Sequence, residues 1–227
     1  MQLSIIIPVL NEAEGIVALL TRLHPLRRRG VQLIVVDGGS GDDTCALAAP
    51  LVDLVVRSAR GRAVQMNAGA MQAQGNALLF LHADTLLPAA ADDLIAAALA
   101  DRHWGRFDVE LHGVHPMLRV IAGMMNLRSR ITGIATGDQA MFMRRNTFER
   151  LQGFAAIPLM EDIELSKRLK RIGSPALLRQ RVTTSGRRWE KHGVWRTIFL
   201  MWRLRLAYFL GADPRKLAIS YGYRSNE

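Results

Sequence analysis

The first half of the sequence alternates short apolar runs with amphipathic helical patterns, and this alternation leaves few folds open to the chain. Leu3 to Val9 predicts a buried strand, Glu12 to Leu23 predicts a helix with one apolar face, and Gln32 to Val36 predicts a second strand. The pattern continues with strands at 54–57 and 77–81 and a helix at 62–74. Repeated strand–helix–strand units are typical of an α/β protein with a largely parallel sheet.

The second half has a different pattern, with half-exposed strands and longer helices, so we expect a central sheet of mixed direction flanked by helices. The predicted strands are at 106–111, 140–144 and 176–184. The predicted helices are at 116–130, from 146 onward, at 161–171 and at 192–210. We find no repeat and no long linker, so residues 1–227 are predicted to form a single domain.

The composition limits the classes of partner. The formal net charge is +10, which suits an anionic ligand or surface. No zinc-finger or RNA-binding aromatic pattern accompanies the basic residues, so nucleic acid is not an expected partner. The single cysteine, Cys45, excludes an internal disulfide, and the first residues do not resemble a cleavable leader. We therefore expect a cytoplasmic protein.

Membrane contact is left open by the C-terminal region. No apolar run reaches the roughly 18 residues that a spanning helix needs. Val194 to Gly211 comes nearest, but Arg196, Arg203 and Arg205 interrupt it. This amphipathic helix could lie on the inner face of a membrane as a peripheral contact, or it could pack on its own domain. A homodimer is also left open.

Acidic residues follow several predicted strands, where ligands bind in doubly wound sheets. Asp37 follows the second strand, Asp84 follows the fourth, and the pair Glu161–Asp162 begins a later helix. A carboxylate such as Asp84 is a hard oxygen ligand suited to Mg²⁺ or Mn²⁺, which can bridge the phosphates of a nucleotide diphosphate. His82 could add a ligand or a hydrogen bond. Each acidic residue could instead be a helix cap.

Several blocks of the sequence together resemble family 2 glycosyltransferases. The blocks are Ile5–Glu12, Val35–Thr44, Gly61–Gly69, His82–Asp84, Gly137–Gln139 and Met160–Leu165. Three further stretches, at 137–145, 158–169 and 187–193, look most similar to a bacterial subgroup labelled transferase 2, which is associated with radical-SAM and selenium or arsenosugar gene clusters. The resemblance implies a GT-A fold, with a nucleotide-sugar-binding half at 1–100 and an acceptor-binding half at 101–227.

The resemblance also implies the activity and its residues. The protein would move a sugar from a nucleotide diphosphate-sugar to an unidentified acceptor hydroxyl with inversion, as a hexosyltransferase-like enzyme. Asp162 would be the general base, with Glu161 the second choice, and Asp84 would hold the metal with His82. The implied donor-binding residues are Pro8, Asn11, Glu12, Asp37, Gly39, Arg62, Asn67, His82, Asp84 and Arg188.

Two positions depart from the family's pattern. Ser185 stands where processive members have Gln before the Arg-Trp pair, here Arg188-Trp189, which argues against processive synthesis. His82 stands where many members have Asp, which bears on the metal geometry.

Two alternative functions belong to other classes of protein. A sugar nucleotidyltransferase would need a basic glycine-rich loop after the first strand, and a basic nucleotide- or membrane-surface-binding protein without turnover would bind its ligand without metal.

Overall fold

The computed structural model describes residues 1–223. Four strands in the first half form the parallel part of one sheet, in the order β3-β2-β1-β4. They are β1 (Leu3–Val9), β2 (Gln32–Asp37), β3 (Leu54–Arg57) and β4 (Ala77–Phe80). The helices between them are α1 (Ala13–Arg28), α2 (Thr44–Ala48) and α3 (Arg62–Gln72). The predicted alternation of strands and helices in this half is confirmed.

The second half extends the same sheet with mixed direction. Its strands are β5 (Thr85–Leu86), β6 (Trp104–His112), β7 (Phe142–Arg144) and β8 (Ala176–Ser185). Strand β7 pairs antiparallel with both β4 and β6, whereas β6 and β8 are parallel and β5 closes the edge antiparallel to β8. The full order is β3-β2-β1-β4-β7-β6-β8-β5. The prediction of an α/β fold with a mixed central sheet is confirmed.

Seven helices belong to the second part of the chain. They are α4 (Ala91–Asp101), α5 (Met117–Thr132), α6 (Arg145–Arg150), α7 (Glu161–Ile172), α8 (Arg187–His192), α9 (Val194–Phe209) and α10 (Pro214–Tyr221). The sequence did not predict β5, α4, α8 or α10. The final predicted helix begins later than expected, because Gly193 at φ 84° separates α8 from α9. Within residues 1–223, no helix combines the length and apolar character needed to span a membrane.

The sheet separates two apolar layers because successive residues of a strand face opposite sides. Ile5 and Ile7 of β1 pack in the core shared with α1, α4 and α5. Ile6 packs on the other side, in the core shared with α3, α6 and α7. A third, smaller cluster joins the start of α7 to α9 and α10. The C-terminal helices α9 and α10 are therefore held against the start of α7.

Candidate functional site

A cavity of about 380 Å³ lies at the carboxyl ends of β1 and β4, next to the end of β8. Parallel strands direct the residues that follow them toward the same edge, so residues far apart in sequence meet there. Of the residues predicted to form a site, those lining this cavity are Pro8, Glu12, Arg62, His82, Asp84 and Arg188. Residues of the motif blocks at the ends of β1 and β4 and at the start of α3 therefore meet at this edge of the sheet.

Two carboxylates form the acidic side of this cavity. An oxygen of Asp84 lies 3.3 Å from the hydroxyl of Thr184 on β8. Burial raises the pKa of Glu12, and the negative charge of Asp84 raises it further. The two carboxylates thus repel each other across a partly water-excluded space. A bound cation would relieve this repulsion.

Asp84 suits a divalent metal whose remaining coordination positions are filled by a bound ligand. Among residues 1–223, no three His, Cys, Asp or Glu side chains form a group that could hold a metal by themselves. Mg²⁺ at a phosphate site commonly takes one or two protein carboxylates, with phosphate oxygens and water filling its other positions. A single well-placed carboxylate such as Asp84 is therefore a suitable donor set for such an ion.

His82 is less suited to a metal than the sequence suggested. Its Nδ1 lies 3.4 Å from a carboxylate oxygen of Asp138. Its Nε2 is buried and has no hydrogen-bond partner among the described residues. A β-carbon added at Gly137 would lie 2.5 Å from Nε2, so this nitrogen packs directly against the Gly137 backbone. These contacts favour the hydrogen-bonding role of His82 over metal ligation.

Arg62, which lines the cavity, is paired with Glu161, which does not. A guanidinium nitrogen of Arg62 is 3.5 Å from a carboxylate oxygen of Glu161. Glu161 is only 2% exposed. Burial raises the pKa of Glu161 to about 7, and the charge of Asp162 contributes in the same direction. Glu161 therefore changes charge near neutral pH.

Asp162 faces a smaller adjoining space of about 110 Å³, which is also lined by Arg62, His82 and Asp138. Since these three residues line the larger cavity as well, the two spaces are neighbours. One Asp162 oxygen accepts a hydrogen bond from the backbone N–H of Gly137 at 2.9 Å. The carboxylate of Asp162 is thus fixed beside the cavity by a backbone contact.

Three predicted site residues shape the loop after β2 and do not line the cavity. Asp37 accepts hydrogen bonds from the backbone N–H groups of Gly39 and Ser40 at 3.1 and 3.0 Å. Burial opposes the charge of Asp37, but the hydrogen bonds from Ser40 and Gly39 lower its pKa overall. The Asn11 side chain accepts from the N–H of Gly41 at 2.8 Å, which ties the loops after β1 and β2 together. Gly39 has φ 94°, the left-handed region that glycine favours.

Asn67 also lies outside the cavity. Its amide nitrogen donates to the carbonyl of Phe154 at 2.8 Å, and its amide oxygen accepts from the N–H of Phe154 at 2.9 Å. Both polar atoms of the Asn67 side chain are therefore engaged by one backbone residue of the segment that precedes α7. This arrangement anchors the segment around Phe154 to α3.

The C-terminal segment supplies site residues that sequence reasoning missed. Tyr221 and Tyr223 line the cavity, together with Thr184 and Trp189. The Arg188 guanidinium lies 3.7 Å from the centre of the Tyr221 ring, and it donates to the Tyr221 carbonyl at 3.1 Å. No motif marks the tyrosines, and the only readable signal was the Asp213-Pro214 start of α10, where Asp213 caps the helix.

The mixed sheet and the polar cavity at its carboxyl edge define an α/β protein with a candidate ligand site, and sequence comparison gives the family. The model of the family described as "Glycosyl transferase family 2" matches residues 4–149, which is more than half of the chain. The chain belongs to glycosyl transferase family 2. A comparison with curated proteins gave no match.

Solved structures of glycosyltransferases share the fold, which is of the GT-A type. S. aureus TarS 1-349 in complex with UDP-GlcNAc superposes with a TM-score of 0.64 at 20% identity, covering 82% of this chain and 59% of that one. The mannosyltransferase PcManGT from Pyrobaculum calidifontis, in complex with GDP-Man and Mn²⁺, gives 0.61 at 21% identity, covering 97% and 69%. Glucosyl-3-phosphoglycerate synthase from Mycobacterium tuberculosis gives 0.56 at 19% identity, covering 81% and 70%. The chain spans about three fifths of the TarS structure.

Proposed function

We propose that this protein transfers a sugar from a nucleotide diphosphate-sugar to an acceptor hydroxyl with inversion at the anomeric carbon. The observation that carries the proposal is the meeting of Asp84, Arg62 and Arg188 in one cavity, beside a space that holds Asp162. Carboxylate-bound metal and guanidinium groups suit a diphosphate. The complexes of TarS with UDP-GlcNAc and of PcManGT with GDP-Man support this class of donor.

The cavity residues divide by the part of the donor that each suits. Pro8, near the end of β1, and Glu12, just after that strand, suit the base and ribose. Arg62 and Arg188 suit the phosphates because a guanidinium group donates several hydrogen bonds to phosphate oxygens. Asp84 would hold Mg²⁺ or Mn²⁺, which supplies positive charge against the leaving diphosphate. The other predicted residues, Asn11, Asp37, Gly39 and Asn67, would act by holding the surrounding loops.

In the transfer step, an acceptor oxygen forms a bond to the anomeric carbon while the bond from that carbon to the diphosphate oxygen breaks. The acceptor's proton passes to a carboxylate, for which Asp162 is the first choice. The hydrogen bond from the backbone N–H of Gly137 holds the carboxylate of Asp162 in place beside the cavity. Glu161 is the second choice, because its raised pKa leaves it partly protonated at neutral pH. The nucleotide diphosphate leaves with the electron pair of the broken bond.

The proposal also covers the division of the chain into two halves and the subgroup to which it belongs. Residues 1–100 would form the donor half and 101–227 the acceptor half, and the chain would belong to the radical-SAM-associated transferase 2 subgroup. Cytoplasmic location, peripheral membrane contact through α9 and a homodimer stay predictions. The alternative, a basic nucleotide- or membrane-surface-binding protein without turnover, gains support from the contacts of His82, which do not favour metal ligation.

A thermal-shift screen tests the donor site. Purified protein is melted with UDP, GDP, CDP or dTDP, each with and without Mn²⁺ or Mg²⁺. We expect one nucleotide to raise the melting temperature in a metal-dependent way, because ligand that binds only the native state stabilises it. Asp84→Ala should lose this shift, whereas Asp101→Ala, an exposed carboxylate at the end of α4, should keep it. The absence of a shift with every nucleotide would contradict the donor-site assignment.

A further inference from the structure

A second cavity, here called the groove, lies between α5 and α9 and has a volume of about 290 Å³. Its walls are mainly apolar, with Ile121 and Met125 from α5 and Ile198 and Trp202 from α9. Asp138 lines the groove, the larger cavity and the smaller space that holds Asp162. The groove therefore opens beside the carboxylate that we propose as the base.

Two cationic side chains, Arg128 and Arg205, line the groove. The Nε and Nη2 atoms of Arg128 are buried and have no hydrogen-bond partner among residues 1–223. Burial and the charge of Arg205 together lower the pKa of Arg128 to about 10, against the opposing charges of Asp162 and Asp138, so Arg128 remains cationic at neutral pH. Buried charges with unmet hydrogen bonds are costly without a partner. An anionic group in the groove would supply that partner.

Large apolar side chains are exposed on both sides of the groove. On α5 they recur at helical spacing as Val120, Met124, Leu127 and Ile131, each 49–76% exposed. On α9 they recur as Trp195, Phe199, Trp202, Leu206 and Phe209, each 57–77% exposed. Met124 and Trp202 also line the groove, so the two stripes meet at its mouth. We call the two stripes together the apolar face.

The charged residues that α5 and α9 contribute to this face are all basic, although Arg130 is paired with Asp108 of β6 and Asp138 lines the groove. Helices α5 and α9 contain arginines and no aspartate or glutamate. The arginines are Arg119, Arg128, Arg130, Arg196, Arg203 and Arg205. A second copy docked by the same face would bring like charges together, which opposes self-association. A lipid surface with anionic headgroups complements both the apolar residues and the arginines.

We propose that the apolar face docks on an anionic lipid surface and that the groove is the acceptor subsite for a lipid whose anionic group pairs with Arg128 and Arg205. The lipid's apolar portion lies along the groove walls, and its acceptor hydroxyl faces Asp162 past Asp138. The acceptor role rests on the proposed function, whereas the docking does not.

Vesicle sedimentation tests the docking. The full chain is mixed with phosphatidylcholine vesicles or with equimolar phosphatidylcholine–phosphatidylglycerol vesicles, at low salt and at about 0.5 M NaCl. We expect binding roughly tenfold stronger to the anionic vesicles, and weaker at high salt. Phe199→Ser/Leu206→Ser should lose about tenfold in this binding. Leu47→Ser/Met71→Ser, which changes exposed apolar residues on α2 and α3, should bind as the wild type does.

Tryptophan fluorescence tests the groove, because Trp189 and Trp202 line it. Dodecyl phosphate below its micellar concentration should change the emission of the wild type, and Arg128→Gln should bind it about tenfold more weakly. Inorganic phosphate at the same concentration should produce no change. An equal response to inorganic phosphate would overturn the lipid assignment in favour of a free anion.

Two patterns of results distinguish failure of this inference from failure of the proposed function. If vesicles and dodecyl phosphate fail to bind while a nucleotide still raises the melting temperature, the inference is wrong and the transferase proposal stands. If no nucleotide shifts the melting temperature, the transferase proposal fails, and the acceptor role of the groove fails with it. A concentration-dependent dimer in sedimentation velocity that Phe199→Ser/Leu206→Ser abolishes would show that a second copy covers the apolar face, and would overturn the inference.

Discussion

Glu161 is a carboxyl group whose surroundings disfavour its charge. It begins α7, where the helix dipole and Arg62 favour the ionised form, yet burial and the neighbouring Asp162 outweigh them. Folded Glu161 therefore keeps its proton to a higher pH than it would in the unfolded chain. Its contribution to stability is complete at low pH and is lost as the pH rises from about 4.5 to about 7.

Replacing Glu161 should remove this dependence. We expect Glu161→Gln to be more stable relative to the wild type at pH 8 than at pH 5, by on the order of 1–3 kcal/mol, because glutamine carries no buried charge. Urea unfolding of the ligand-free protein at both pH values measures the difference. Glu14→Gln, at an exposed position of α1, is the control. An equal effect of Glu161→Gln at both pH values would contradict the raised pKa.

At the scale of elements, the segment before α7 is held by α3 through a single side chain. Asn67 pairs with both backbone polar groups of Phe154, and Phe154 packs edge-on to Phe80 of β4 with ring centres 4.8 Å apart. The segment around Phe154 is thereby fixed relative to the sheet. Asn67 acts on this segment and not on the cavity.

Asn67→Ala should therefore change stability and leave donor binding nearly unchanged. Loss of two hydrogen bonds to part-buried backbone should lower the free energy of unfolding by about 1–3 kcal/mol. Urea unfolding measures this loss, and titration with the nucleotide found in the thermal screen measures binding, which should change by less than about threefold. Gln72→Ala, at an exposed position on α3, controls for the helix itself. A large loss of binding with unchanged stability would restore the donor role predicted for Asn67.

The elements that could be predicted are those with strong local patterns. Strands β1 and β2 are nearly wholly buried, so their continuous apolar runs identified the strands in the sequence. The positions of the loops that follow these strands could then be predicted as well. Helix α4 was missed because alanine fills five of its eleven positions and gives little contrast between its faces, although Ile95 and Leu99 are buried. Asp37 and Asn67 were assigned to ligand binding because a motif identifies a residue without showing which way its side chain points.

At the scale of the whole molecule, distant parts of the chain complete the cavity. Residues that follow β1 and β4 form its base, whereas Tyr221 comes from a helix near the end of the described chain. Leu217 and Ala218 of α10 pack with Ile163 and Leu204, which holds that helix in place. The Asp213-Pro214 start of α10 marks the helix but not its place in the fold, so the tyrosines could not be assigned to the cavity from the sequence.

Replacing Tyr221 tests whether α10 contributes to ligand binding in the cavity. Its ring stacks on the Arg188 guanidinium at 3.7 Å, and cation–π contacts contribute about 0.5–2 kcal/mol. We expect Tyr221→Ala to weaken binding of the nucleotide found in the thermal screen by about 3- to 30-fold, because Arg188 would no longer be held over the cavity. Tyr221→Phe keeps the ring and should bind within about twofold of the wild type. Isothermal titration compares the three proteins. If Tyr221→Ala also binds within about twofold of the wild type, stacking does not position Arg188, and the C-terminal helix covers the cavity without contributing to binding.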